Sequence, residues 1–168
     1  MATSKAKSRG PLRLLLLGQR LLRDDKRACL RLARRVVRAA NIDELEVGLT
    51  FVHDLEMRAL NRAWRHKDEP TDVLSFPAHD GTAEAVIGDG EALGDLVISV
   101  DTARRQARTL GHSLDTEIAV LVAHGLCHLA GLDHERGPGD AAVQIGCERT
   151  LLAIARVDVS AALSARSH

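Results

Sequence analysis

The stretch HGLCHLAGLDHE, residues 124–135, carries the densest chemistry in the chain. His124 and His128 are four apart, so on a helix they leave one face about 6 Å apart and can converge on a single ion. Gly131 suits the left-handed position that ends such a helix, and the turn it allows brings His134 in from a third direction. Three imidazoles leave one coordination position open, which is the pattern of a catalytic zinc; structural zinc is normally closed by four protein ligands. The expected site is one Zn2+ ion on His124, His128 and His134. Three imidazoles also suit nickel, copper or iron. Cys127 lies about 100° around the helix from His128 and reads as a small core residue.

Outward from this helix, Ser113 is the expected N-cap, with Asp115 and Glu117 in the first turn where the helix dipole favours negative charge. Ile118, Ala119, Val122, Leu126 and Leu129 make it apolar on most sides, the mark of a central, buried helix. A last helix is expected over about 140–156. Upstream, Leu12 to Leu17 reads as a strand, and Asp24 to Ala40 as an amphipathic helix that buries Cys29, Leu32, Ala33, Val36 and Val37. Leu45 to Val52 alternates as a strand, and Leu55 to Trp64 is a helix expected to turn Leu55, Ala59, Leu60 and Ala63 inward. Pro70 and Pro77 bracket a short strand over 73–76, Gly81 to Glu91 reads as a mobile surface loop, and Leu96 to Ser99 as a further strand. Asp101 is the expected cap of a helix that stops at Gly111. This order implies an α+β fold, a small mixed sheet of about four strands covered by helices. A disordered basic leader over 1–10, one catalytic domain over 11–157 and a flexible tail over 158–168 complete the expected organisation.

The chain has 168 residues and zero net charge, but residues 1–40 carry twelve Lys or Arg against Asp24 and Asp25, a net +10 that the rest of the chain cancels. Such a split points to an anionic partner. Arg27, Arg31, Arg34 and Arg38 line the polar side of the first helix as candidate contacts to that partner. With one Trp, two Phe and no Tyr, broad aromatic stacking on bases is not expected. Cys29, Cys127 and Cys147 form no CxxC pair, which fits a reducing cytoplasm, and the run Leu14 to Leu17 is too short to span a bilayer, so no membrane association is expected.

The spacing HxxxHxxxxxH with Gly at the turn resembles the zinc site of metzincin proteases, so the buried helix is expected to be a metzincin-like zinc-binding helix. One departure separates the chemistries: those proteases place Glu beside the first histidine as general base, and this chain has Gly125. Asp133, next to His134, is the better candidate to capture a proton, ahead of Glu135.

Two further segments, LNRAWRHKDEPTDVLSFP at 60–77 and LGDLVIS at 93–99, extend the pattern. With the signature HGxxHLxGxDH, met at His124, Gly125, His128, Leu129, Gly131, Asp133 and His134 with Cys127 in place of the usual Leu, the chain resembles the YbeY family of bacterial endoribonucleases from Leu45 onward. No specific motif matches the first 40 residues. The resemblance implies a zinc-dependent, single-strand-specific RNA hydrolase that matures the 3′ end of small-subunit (16S) ribosomal RNA and serves ribosome quality control, with the small subunit and assembly factors as partners. It also implies that Arg65 is the active-site arginine, holding phosphate and the charge that develops on it. Thr71, Asp72 and Ser75 are expected to line the cleft, and Asp95 to be either an outer partner of a histidine or a turn residue. Two rivals remain: a zinc metalloprotease-like hydrolase, and a non-enzymatic ribosome assembly factor whose metal only braces the fold.

Overall fold

Apolar runs rich in Leu, Val and Ile alternate with amphipathic stretches, and the computed structural model shows what they build. It describes residues 13–18, 23–40, 45–78, 91–132 and 137–159. The expected leader, the loop from Gly81 to Gly90, Asp133 and His134, and residues 160–168 lie outside these. The elements run β1 (Arg13–Gly18), α1 (Arg23–Ala39), β2 (Leu45–Val52), α2 (Asp54–Arg65), β3 (Val73–Pro77), β4 (Glu91–Ser99), α3 (Val100–Leu110), α4 (Leu114–Leu129) and α5 (Pro138–Ile154). The fold class is mixed α+β.

The described strands form one sheet in the order β1-β2-β4-β3. β1 pairs parallel with β2, β2 parallel with β4, and β3 antiparallel with β4 at the edge. Alternation along the strands gives the sheet two distinct faces. Val47, Leu49, Phe51, Val73, Leu96 and Ile98 meet α1 and α4 in the main core, whereas Val52, Leu74, Phe76 and Val97 meet Met57 and Leu60 of α2 in a smaller one. α4 is buried on nearly all sides, from Ile118 through Leu121, Val122 and Leu126, and each such side chain contributes about 1.5–3 kcal/mol by leaving water. Cys29, Ala33, Val36 and Val37 of α1 pack into that core, leaving Arg27, Arg31, Arg34 and Arg38 exposed on the other side. The chain stays packed through Val159, two residues past the expected domain end.

Three local expectations are corrected. α2 buries Met57 and Asn61 and leaves Leu55 at 79% exposure, with Ala59 and Ala63 also outward. The cause lies at its first turn: Asp54 accepts hydrogen bonds from Ser99 (2.5 Å) and Thr102 (2.8 Å), pairs with Arg105 (2.7 Å), and thereby sets the helix's rotation. Burial raises the Asp54 carboxyl, but these partners outweigh it and hold it below its usual value. α3 is capped by Ser99, whose hydroxyl accepts from the Thr102 amide, while Asp101 sits in the first turn and accepts from the Asp54 amide (3.1 Å). β4 starts at Glu91, well before Leu96. Gly94 is part of the strand at φ +144°, and a Cβ there would lie 2.3 Å from the Phe76 carbonyl and 2.8 Å from Leu129. Glycine lets β4 continue under α4.

Candidate metal centre

α4 begins where the sequence implies, with Ser113 accepting from the Thr116 amide. It ends by a double closure: the Gly131 amide donates to the His128 carbonyl (2.9 Å) and the Leu132 amide to the Cys127 carbonyl (3.0 Å), with Gly131 at φ +84°. This is the Schellman pattern that needs a left-handed residue at that point, and it turns the chain back just ahead of His134.

One turn before that end, the His124 and His128 rings lie 4.6 Å apart between centroids, with their Nε2 atoms 3.1 Å apart. Two nitrogens sharing one tetrahedral zinc at 2.0–2.1 Å would stand roughly 3.3 Å apart, so the pair fits a common cation. Glu148 of α5 fixes the tautomer. Its Oε1 is 2.8 Å from His124 Nδ1, and a carboxylate there holds the proton on Nδ1, leaving Nε2 with a lone pair aimed at His128. The Gln144 side-chain amide donates to the same carboxylate oxygen (3.0 Å) and is itself buried. Both histidines keep partial access to solvent. Among the described residues no group of three His, Cys, Asp or Glu that could hold a metal is present, and the third expected ligand, His134, lies outside them with Asp133.

Gln144 and Glu148 were missed from sequence. The available signal was their spacing: two polar residues four apart on the inward side of a helix that also buries Leu151 and Leu152. A carboxylate in that position needs a buried partner, and an imidazole supplies one.

Gly125 has a steric explanation. A Cβ there would lie 2.5 Å from Leu96 Cδ2 and 3.2 Å from Ser75 Oγ, so the bare backbone lets α4 lie flat on β4 and β3. No side chain, glutamate included, fits at this position without pushing the Leu96 side chain aside. Ser75, on the same face, donates to the Gly125 carbonyl at 3.5 Å, which places it beside the pair.

The other expected residues fall elsewhere. Asp72 accepts from the Val73 amide (2.8 Å) and from Gln106 of α3 (2.9 Å), and its carbonyl accepts from the Ser99 amide. It therefore ties the start of β3 to α3, with Thr71 donating to it at 3.3 Å. Asp95 alternates with Leu96 and Ile98 and pairs with Phe76, so it faces the α2 side, away from the histidines. Burial pushes its carboxyl above the usual range. Arg65 is the last residue of α2 and is exposed. Cys127 is buried, its thiol pushed up by desolvation, which suits a core residue better than a ligand. At the far end of α1, Arg38 lines a cavity of about 290 Å³ with Arg35 and Arg156, floored by Ala39, Ile154 and Ala155.

The fold and the site together define an α+β protein whose central helix presents a carboxylate-oriented histidine pair able to share one cation. Comparison with known proteins makes the assignment specific. The family model described as Endoribonuclease YbeY matches residues 20–154, α1 included, and the chain belongs to that family. It is similar to proteins named Endoribonuclease YbeY from Aquifex aeolicus (44% identical over 124 residues, 74% of this chain and 78% of that one) and from Myxococcus xanthus (46% over 130 residues, 77% and 43%). A third, from a Synechococcus species, is 50% identical over 99 residues, 59% of this chain and 58% of that one. The chain thus spans about half the length of the second and third relatives. The solution structure of TM1509 from Thermotoga maritima aligns over 86% of this chain and 91% of its own, with a TM-score of 0.49 and 23% identity.

Proposed function

We propose that this protein is a zinc-dependent, single-strand-specific endoribonuclease that hydrolyses RNA phosphodiesters in 3′-end maturation of small-subunit (16S) rRNA and in ribosome quality control. Family membership supports the endoribonuclease class. The observation that carries the metal-dependent reading is the orientation of His124: Nδ1 occupied by Glu148, Nε2 directed at His128 Nε2 3.1 Å away. His134, three residues beyond the Gly131 turn, completes the ligand set in this reading.

Bound there, zinc supplies Lewis-acid polarisation of the phosphoryl group and acidifies water toward neutral pH. Glu148 keeps His124 in the one tautomer that can ligate and holds its ring still. Arg65 pairs with a phosphate oxygen and compensates the charge that develops during attack. Asp133 takes up the proton released. Arg27, Arg31, Arg34 and Arg38 give sequence-independent contacts to the RNA backbone, with the small ribosomal subunit and its assembly factors as the setting and the cytoplasm as the compartment. No described helix is long and apolar enough to cross a membrane.

The test is elemental analysis of the purified protein together with cleavage of single-stranded RNA and of an unstructured peptide, each before and after chelation and zinc return. One zinc per chain with chelator-sensitive RNA cleavage is expected. Peptide cleavage in place of RNA cleavage overturns the nuclease reading, and RNA cleavage that survives complete metal removal overturns the metal assignment. Replacing the four ridge arginines by alanine is expected to weaken RNA binding and flatten its salt dependence by roughly 0.7 per lost contact on a log–log plot.

A further inference from the structure

Trp64 is the chain's only tryptophan, and it is 54% exposed. That much apolar ring left in water is unfavourable, and the ring is not loose: it forms a T-shaped pair with Phe76, centroids 5.6 Å apart at 71°. Phe76 is the neighbour in β3 of Ser75, whose hydroxyl reaches the Gly125 carbonyl beside His124. The edge strand therefore presents Ser75 toward the histidine helix and Phe76, with Trp64 propped on it, toward the other face. Around Trp64 in sequence lie Arg62, Arg65 and Lys67, all exposed. Cations interleaved with a rigid, half-bare aromatic face are what a single strand of nucleic acid recognises: phosphates meet the charges and an unpaired base meets the ring.

We propose that Trp64 is a stacking platform that takes one unpaired base of the RNA and so favours single strands over duplexes. The inference rests on the endoribonuclease reading above and adds to it a residue that selects the substrate. A base in a duplex is already stacked on both faces and cannot lie on the ring without being flipped out, so discrimination follows from the geometry of the ligand.

The single tryptophan is its own reporter. Titrating the zinc-loaded protein with oligouridylate is expected to quench its emission saturably, and the same strand annealed to oligoadenylate is expected to leave the emission unchanged. Trp64→Ala is expected to raise KM for single-stranded RNA about 5- to 100-fold with little change in kcat. Trp64→Leu keeps apolar cover over Phe76 but removes the π-face, and is expected to behave like Trp64→Ala, whereas Trp64→Phe restores most of the affinity. Circular dichroism melting of each variant shows which ones fold. A Trp64→Leu protein with wild-type KM, or unchanged emission on RNA that labelled-strand anisotropy shows to be bound, overturns the stacking role and leaves the nuclease reading standing. A wild-type protein that neither binds nor cleaves single-stranded RNA overturns both.

Discussion

Two histidine–glutamate pairs in this molecule use the same chemical groups to opposite ends. His124 meets Glu148 at 2.8 Å through Nδ1, and His112 meets Glu117 at 3.0 Å through Nε2. The difference lies at the second nitrogen. In His124 it faces another imidazole with some access to solvent, the side chain being 25% exposed. In His112 it lies 3.1 Å from the Ser113 carbonyl, and the pair is sealed at 8% and 0% exposure between α3 and α4. The first pair turns its other nitrogen to a second, half-buried imidazole; the second is shut in between two helices, its Nε2 near the Glu117 carboxylate but outside hydrogen-bond geometry. A histidine beside a carboxylate is thus a candidate ligand when its remaining nitrogen meets a second imidazole within reach of one cation, and a packing residue when both nitrogens are shut in.

The comparison can be broken at either end. His124→Ala is expected to have the largest effect, loss of bound zinc and a fall in RNA cleavage of more than about 100-fold, beyond the range for outer residues around a metal; a fully active, zinc-replete variant would end the assignment. Glu117→Ala is expected to cost about 1–3 kcal/mol of stability, because it removes the carboxylate packed against a buried imidazole, with zinc stoichiometry unchanged in whatever fraction remains folded. Denaturant melts with metal analysis distinguish that from a second metal-linked site. Glu148→Gln sharpens the contrast further: zinc affinity is expected to drop 10- to 100-fold by chelator competition, with a much smaller change in melting temperature than at Glu117.

Smaller effects are expected away from both pairs. Gly125→Ala drives a methyl against Leu96 and is expected to cost about 1–3 kcal/mol, partly recovered in the double variant with Leu96→Ala; no recovery would mean that the close packing is not what fixes glycine here. Asp54, held below its usual value of 3.8 by Arg105, Ser99 and Thr102 against the opposing effect of burial, stabilises the fold at neutral pH and loses that contribution as pH falls through its depressed value. Asp54→Asn is therefore expected to melt lower than the parent at pH 7, with the gap narrowing as pH falls through the depressed Asp54 value.

The four strands, the buried α4 and the arginine side of α1 were legible because each depends on spacing along one segment. So was the histidine pair, since four residues on a helix put two rings on one face whatever surrounds them, and Gly131 marks the turn by its own conformational range. The inward face of α2 was not legible, because Asp54 binds side chains 45 to 51 residues away and these set the rotation of the helix. Nor was the reason for Gly125, which lies in Leu96 across the core, or the side of the sheet on which Asp95 falls, since its strand was expected to begin only at Leu96. The sequence alone determined that two imidazoles stand together. Only the tertiary structure decided which nitrogen of His124 meets a carboxylate and which faces His128, because packing delivers Glu148 from another helix.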